Sequence, residues 1–349
     1  KLPDLPNTQS LTLSWCEELI DASNLSHLTQ LTLSSASSLQ DIHPLQDIPS
    51  LSLRGCDKIL DFTMLGRKQT FLSLNRCNHL TTVENFRNVR VLQISNCFSV
   101  TDISSLHGVH DLTLIRCPGI QDISGLGNHY RLKIESIMDL IGYDSLACIP
   151  HVSLSGCNIS DVSVLQYAKT VSLAEVKRVQ DLSWLKNVKV VNLSSLKSFC
   201  SVGELKDIPH LIIHSRQAIL SKFRNHRLDV HVDYNSFPDF AIFSKVQHLS
   251  LKIISRLPTP PPKFAHSDLL HLKDAQSVQF KDFNSLLHVK GLGKVPSLQF
   301  ISCHDLNDIS DLGDNRSVLL EYCSKVEDVS SLATVPIVTI KNCIRVKDF

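Results

Sequence analysis

A short unit, apolar-x-apolar, recurs along almost the whole chain, and no other feature limits the possible folds so strongly. Its first residue is Leu11, Leu31, Leu51, Leu72, Leu92, Leu112, Leu132, Val152, Val171, Val191 and Leu211, then Val230, Leu249, Leu270, Leu298, Val318 and Val338. All but one of the intervals are 19 to 21 residues; the exception, Leu270 to Leu298, is 28. Self-similarity at a fixed short period marks a stacked repeat. The 349 residues therefore read as one array of about 17 units. Without the repeat, a chain of this length would divide into two or three domains.

Other positions of the unit are fixed too. Five residues after the first apolar comes Cys, and three later an aliphatic, as at Cys117 and Ile120 or Cys323 and Val326. Asp-aliphatic-Ser follows at Asp102-Ile103-Ser104, Asp122-Ile123-Ser124, Asp161-Val162-Ser163, Asp181-Leu182-Ser183, Asp308-Ile309-Ser310 and Asp328-Val329-Ser330, with Leu two residues on. Two apolar residues at period 2 form a short strand with one buried face. Asp and Ser side chains bond nearby backbone N–H groups and favour turns. The last third is too short for more than a helical turn or an extended return. One unit cannot bury its own apolar residues, but stacked neighbours can.

The unit L-x-L-x-x-C-x-x-I-x-D-I-S-x-L-x-x-x-x-x resembles a leucine-rich repeat, from Leu11 to Phe349. Its Cys is similar to that of the cysteine-containing subclass common in F-box adaptor proteins. Its Asp-Ile-Ser-x-Leu return resembles internalin-like repeats, though the unit is about two residues shorter. The resemblance implies an α/β repeat solenoid: a horseshoe or arc with a concave parallel sheet and short turns or 3₁₀ segments on the convex side. Strictly parallel sheets normally have both faces covered, so an open one is a natural docking surface. The expected function is a non-catalytic scaffold binding a protein partner through that face. The alternatives are the substrate-recognition domain of a ubiquitin-ligase adaptor and a cell-surface adhesion module.

Composition narrows this further. A net charge of +1 gives no global electrostatic case for nucleic acid or an anionic membrane. No apolar run approaches a membrane span. G-x-S-x-G, G-x-x-x-x-G-K-[ST], H-E-x-x-H and G-x-G-x-x-G are all missing from the sequence, so no enzyme and no cofactor is expected. Nine of the 11 cysteines (Cys16, Cys56, Cys77, Cys97, Cys117, Cys157, Cys303, Cys323 and Cys343) share one repeat position, leaving Cys148 and Cys200 outside it. Zinc needs paired spacing such as C-x-x-C, which is lacking, so the column reads as packing and no metal is expected. Free thiols suit a reducing compartment, hence a cytoplasmic location. The Asn-x-Ser sequons at Asn24, Asn158, Asn192 and Asn315 favour the alternative, an extracellular one.

Candidate partner-binding residues lie one before, one after and three after the first strand apolar. Arg54 and Arg131 occupy such positions, and Trp15, Arg76, Arg116, Tyr234 and Tyr322 fall one residue further, at the strand end. Arg and aromatic side chains are enriched at interface hot spots. A second group is His210, His214, Asp229, His231, Asp233 and His248. Aligned by repeat, His210, Asp229 and His248 should lie side by side, as should His214 and Asp233. Such a cluster reads as a cross-strand polar ladder, a partner site or a metal site. Residues 197–297 are irregular, with Pro258 to Pro262 stiffening one return and about eight extra residues expected at 279–288. Neither end carries a polar cap, so a segment of a longer chain is expected.

Overall fold

The computed structural model describes residues 5–176, 178–179, 181–195, 205–215, 223–232, 239–254 and 269–347. The chain forms two compact units, Lys1–Gln180 and Asp181–Phe349. Among its described residues the first holds nine strands: β1 (Ser10–Ser14), β2 (Gln30–Ser34), β3 (Ser50–Arg54), β4 (Phe71–Asn75), β5 (Val91–Ser95), β6 (Asp111–Ile115), β7 (Arg131–Glu135), β8 (His151–Ser155) and β9 (Thr170–Ala174). The second holds eight among its described residues: β10 (Val190–Ser194), β11 (His210–Ser215), β12 (Arg227–Val232), β13 (His248–Ile253), β14 (Ser277–Lys281), β15 (Ser297–Ile301), β16 (Ser317–Glu321) and β17 (Ile337–Lys341).

Within each unit, strands that follow one another in the chain pair in parallel with the first apolar residues side by side. Leu11 faces Leu31 and Leu31 faces Leu51 in the first unit; Val278 faces Leu298 and Leu298 faces Val318 in the second. Parallel neighbours need a crossover, and here it is short, often one 3₁₀ segment such as Ser104–Gly108 or Ser330–Thr334. The core is a set of columns. In the second repeat they are Leu31, Leu33, Ala36, Leu39, Ile42, Leu45 and Ile48, all buried. Aromatic rings widen the columns in the second unit, where Phe280 stacks on Phe300 with centroids 5.7 Å apart.

Parallel one-repeat pairing, buried columns and short returns make each unit a leucine-rich-repeat solenoid. Two of the expected unit starts are displaced. The unit expected to begin at Val230 begins at Leu228, because Leu228 pairs with Leu211 and with Leu249. The unit expected at Leu270 begins at Val278, which pairs with Leu249 and Leu298. Leu270 sits instead in a 3₁₀ segment and is exposed. The extra residues therefore precede β14 rather than falling at 279–288. In both cases an apolar-x-apolar triplet stood close to the true strand, and periodicity alone could not choose between them. Pro258 to Pro262 lie outside the described residues.

The return turns follow the sequence closely. Asp102, Asp122, Asp161, Asp181, Asp308 and Asp328 each accept the backbone N–H two residues on through Oδ1, at 2.8–3.1 Å. Bonds from the following Ser hold the carboxyls of Asp102, Asp122, Asp181, Asp308 and Asp328 below their usual range. The cysteine column is a packing column. Cys97, Cys117 and Cys323 each point Sγ at two carbonyl oxygens, one at the end of their own strand and one on the preceding strand, at 3.3–3.7 Å. Burial pushes the Cys117 and Cys157 thiols up to about 11. The neighbouring Cys303 thiol, with burial, pushes Cys323 up to about 12.

Two fixed positions were not anticipated. Four residues after the first apolar, the backbone turns left-handed: φ is 61° at Trp15, 56° at Ser35, 55° at Arg76, 52° at Asn96, 50° at Arg116 and 55° at Tyr322. Each of these residues donates its N–H to the last residue of the next strand, as in Trp15 to Ser34 O at 2.9 Å and Arg76 to Ser95 O at 2.9 Å. The reversal thus continues the sheet's bonding beyond the strand. Three residues before the first apolar, where aliphatics normally sit, Gln69, His129, Asn225 and Asn315 are buried instead. Asn315 Nδ2 donates to Leu292 O at 3.1 Å and Val295 O at 2.6 Å; Asn225 does the same to Leu205 O and Ile208 O. These amides tie one repeat's return to the next, and they satisfy carbonyls that would otherwise lack a side-chain donor.

Candidate functional site

Alternation within each five-residue strand sends two residues inward and three outward. In β3, Leu51 and Leu53 are buried while Ser50, Ser52 and Arg54 face out. The open face therefore carries three columns, one before, one after and three after the first apolar, fringed by the left-handed residues at the strand ends.

In the first unit this face is mostly small and polar, with larger residues set into it. Arg54, Arg76, Arg116 and Arg131 are all exposed. Arg54 ends β3, and Arg76 directly follows the adjacent β4. Arg116 follows β6, two strands further, with Asn96 after the strand between them. Among the described residues, no carboxylate forms an ion pair with Arg54, Arg76 or Arg116. Arg131 stands apart from them, between Asp111 and His151 in register. There Asp111 is engaged by His110 Nδ1 at 3.2 Å. Burial and then the Arg131 charge hold the His151 imidazole below its usual range. Trp15, 79% exposed, follows β1 and is separated from the arginines by β2.

In the second unit, β11 to β14 bring together a dense polar group. Its register differs from expectation by two residues. His210 faces Arg227, which faces His248. Asp229 lies in the next column between Ile212 and Ser250, and His214 faces His231 rather than Asp233. The cause is the displaced start of β12 described above. Asp233 and Tyr234 lie outside the described residues. His210 and Asp229 still meet, on the diagonal: Nε2 to Oδ2 is 2.7 Å, and Arg227 Nε reaches the same oxygen at 3.5 Å. His248 Nδ1 bonds Ser277 Oγ at 2.8 Å. A chain of bonds runs across the middle column, from Ser250 Oγ to Gln279 at 2.9 Å and from Gln279 Nε2 to Gln299 Oε1 at 2.7 Å. Together Arg227, Asp229, His248, Ser250, Gln279 and Gln299 line a shallow open groove of about 190 Å³.

The third column is basic. His214, His231, Lys252 and Lys281 are consecutive in it across β11 to β14. The rings of His214 and His231 are 4.0 Å apart and tilted by 44°. Burial, then the neighbouring His214 and Lys252, push the His231 imidazole down to about 4, against the pull of Asp229. His214 is lowered by the same causes, burial first and then Lys252. Among the described residues, no group of three or more His, Cys, Asp or Glu is placed to hold a metal ion.

Tyr322, 48% exposed, follows β16, away from this group. Arg227, Lys252, Lys281, Gln279 and Gln299 belong to the face but were not singled out in the sequence. Lys252 was visible at its column position. Arg227 and Lys281 were hidden by the two displaced unit starts.

No family model and no curated protein sequence matches the chain. Similar solved structures are leucine-rich-repeat proteins. A leucine-rich-repeat protein of Leptospira interrogans is 18% identical with TM-score 0.43, covering 95% of this chain and 95% of that one. An internalin of Listeria monocytogenes is 15% identical with TM-score 0.39, covering 96% of this chain and 86% of that one. The functional domain of InlJ from the same species, which includes a cysteine ladder, is 14% identical with TM-score 0.34, covering 96% and 63%. Among the described residues no helix is long and apolar enough to cross a membrane.

Proposed function

We propose that the chain is a non-catalytic recognition module that binds a protein partner on the open face of its strands. The observation that carries this reading is where bulky residues occur. The left-handed position after each strand suits Gly and Asn, and Gly55, Gly156 and Asn96 fill it so. Trp15, Arg76, Arg116 and Tyr322 hold the same backbone despite its cost to larger side chains, and all four are exposed. Strain kept at an exposed position, by residue types that dominate interface energetics, supports a binding role. The Asp and Cys columns, which otherwise invite chemistry, are occupied by turn bonds and packing. The column thiols from Cys56 to Cys323, buried and bonded as thiols, support a reducing location.

The test is capture of partners by the immobilised chain, compared across three sets of variants. Arg54→Glu with Arg76→Glu and Arg116→Glu alters the face of the first unit. Ser250→Arg with Gln299→Arg alters that of the second. Glu84→Lys with Arg87→Glu and Lys186→Glu alters the return side. Partners lost from a face variant and kept by the return variant support the reading. Partners lost only from the return variant defeat it.

A further inference from the structure

We propose that the outward face of β11 to β14 is a docking site for a carboxylate-rich segment of a protein partner, with His214, His231, Lys252 and Lys281 as its cationic row. This rests on the face-binding reading above and names the chemistry of the partner.

The row is an arrangement that sheet stability does not favour. Neighbouring strands stand about 4.8 Å apart, so four consecutive positions span about 14 Å. Like charges directly opposite one another on paired strands are destabilising, and Lys252 lies directly opposite Lys281. Among the described residues, neither lysine has an ion pair with a carboxylate. Asp229, in the neighbouring column, is taken up by His210 and Arg227. The two imidazoles beside the lysines bear the same field: burial is the first cause of their lowered proton affinity, and the lysine charges add to it. A ligand that brings negative charge relieves the lysine repulsion and the lysine field on the imidazoles together.

Beside the row, the groove supplies the other half of a peptide site. Ser250, Gln279 and Gln299 offer hydroxyl and amide groups for the backbone of an extended segment. Carboxylates spaced along that segment then meet two ammonium groups, which give charge-assisted bonds, beside imidazoles that an incoming negative charge favours protonating. A single-stranded nucleic acid is the other polyanion to consider. It binds best where aromatic side chains stack its bases, and the outward positions of β11 to β14 hold no Phe, Tyr or Trp.

The experiment uses the full chain and labelled hexaglutamate, with hexaglutamine and an oligothymidine of equal charge as comparison probes, read by fluorescence anisotropy. Hexaglutamate is expected to bind, with affinity falling as salt rises, while hexaglutamine does not. Lys252→Glu with Lys281→Glu should weaken hexaglutamate at least tenfold, and Lys252→Gln with Lys281→Gln by a smaller factor. Arg87→Glu with Lys186→Glu, both on the return side, should leave it unchanged. Binding of hexaglutamate should also move the titration of His231, followed by NMR, upward in pH. Absence of hexaglutamate binding, equal binding by the lysine variants, or tighter binding of oligothymidine overturns the proposal. Partner capture that is lost with Ser250→Arg and Gln299→Arg under any of those outcomes leaves the face-binding reading standing and removes only its acidic partner.

Discussion

The ring of His231 lies 4.0 Å from that of His214 across the β11–β12 pairing. Burial, with the His214 and Lys252 charges, holds His231 near 4 when folded, against 6.5 for a free imidazole. The folded value is the lower, so the unfolded chain binds more protons between these limits and stability rises with pH there. The contribution is whole above about 6.5 and is lost as pH falls through about 4. Both rings are part-exposed, so after solvent screening the loss between pH 7.5 and pH 5 should be about 1 kcal/mol. Urea unfolding midpoints at the two pH values measure it, and His231→Gln should flatten the difference. A midpoint that does not move contradicts the assignment.

The aspartate turns respond to acid by a different route. Their carboxyl groups are held below the usual range by bonds from the following Ser, so their contribution is present above about pH 4 and fades as pH falls below it. Asp102→Ala and Asp328→Ala should each lower the melting temperature at pH 7, and Asp→Asn at either position should lower it less, because the amide oxygen still accepts. At pH 2.5 the Ala variants and the parent should converge. Thermal melts at both pH values decide it.

Asn315 should be structurally important despite its polarity. It is 2% exposed, and its Nδ2 serves two carbonyls of the preceding return. Asn315→Ala removes the donor from a buried place and should cost about 2–4 kcal/mol. Asn315→Val, the residue type at the equivalent Val295 and Val335, should cost less. Chemical denaturation of both variants ranks them, and equal losses would show that the lost hydrogen bonds alone, and not the volume at this place, set the cost.

Thiol labelling should sort the cysteines by place in the repeat. Cys148 is exposed, while Cys77, Cys97 and Cys117 are buried and hydrogen-bonded. Reactivity follows thiolate character and access. Cys148 should be alkylated in the native chain well before the three column residues, which should react only on unfolding. Peptide mass spectrometry over a time course reads this, and early labelling of Cys97 would contradict the packing account.

Much of the fold was legible because a stacked repeat writes the same physical demand many times. Leu31 and Leu33 bury as a strand pair in each unit, and Asp102 turns the chain as Asp122 and Asp328 do. The register failed at Leu228 and Val278, where Val230 and Leu270 offered an equally apolar triplet and only pairing with the neighbouring strand could choose. The two-residue error at Val230 separated Asp229 from its true column and hid Arg227, and the eight-residue error at Leu270 hid Lys281. The left-handed fringe had a readable signal in Ser35, Gly55, Asn96 and Gly156, but Arg76 and Trp15 in the same position masked it. Asn315 was read as part of a sequon; its burial was signalled only by the aliphatics at the same place in other repeats.

The central claim is that exposed bulky residues at left-handed positions are kept for recognition rather than for the fold. Arg76 and Arg116 test it most directly, since Asn96 lies between them in the same conformation. A left-handed residue costs roughly 1–2 kcal/mol, less for Asn. The variant Arg76→Asn with Arg116→Asn, assayed for melting temperature and for partner capture by the first unit's face, is predicted to melt at or above the parent temperature and to lose the partner. Capture undiminished, or a melting temperature that falls, would contradict the account.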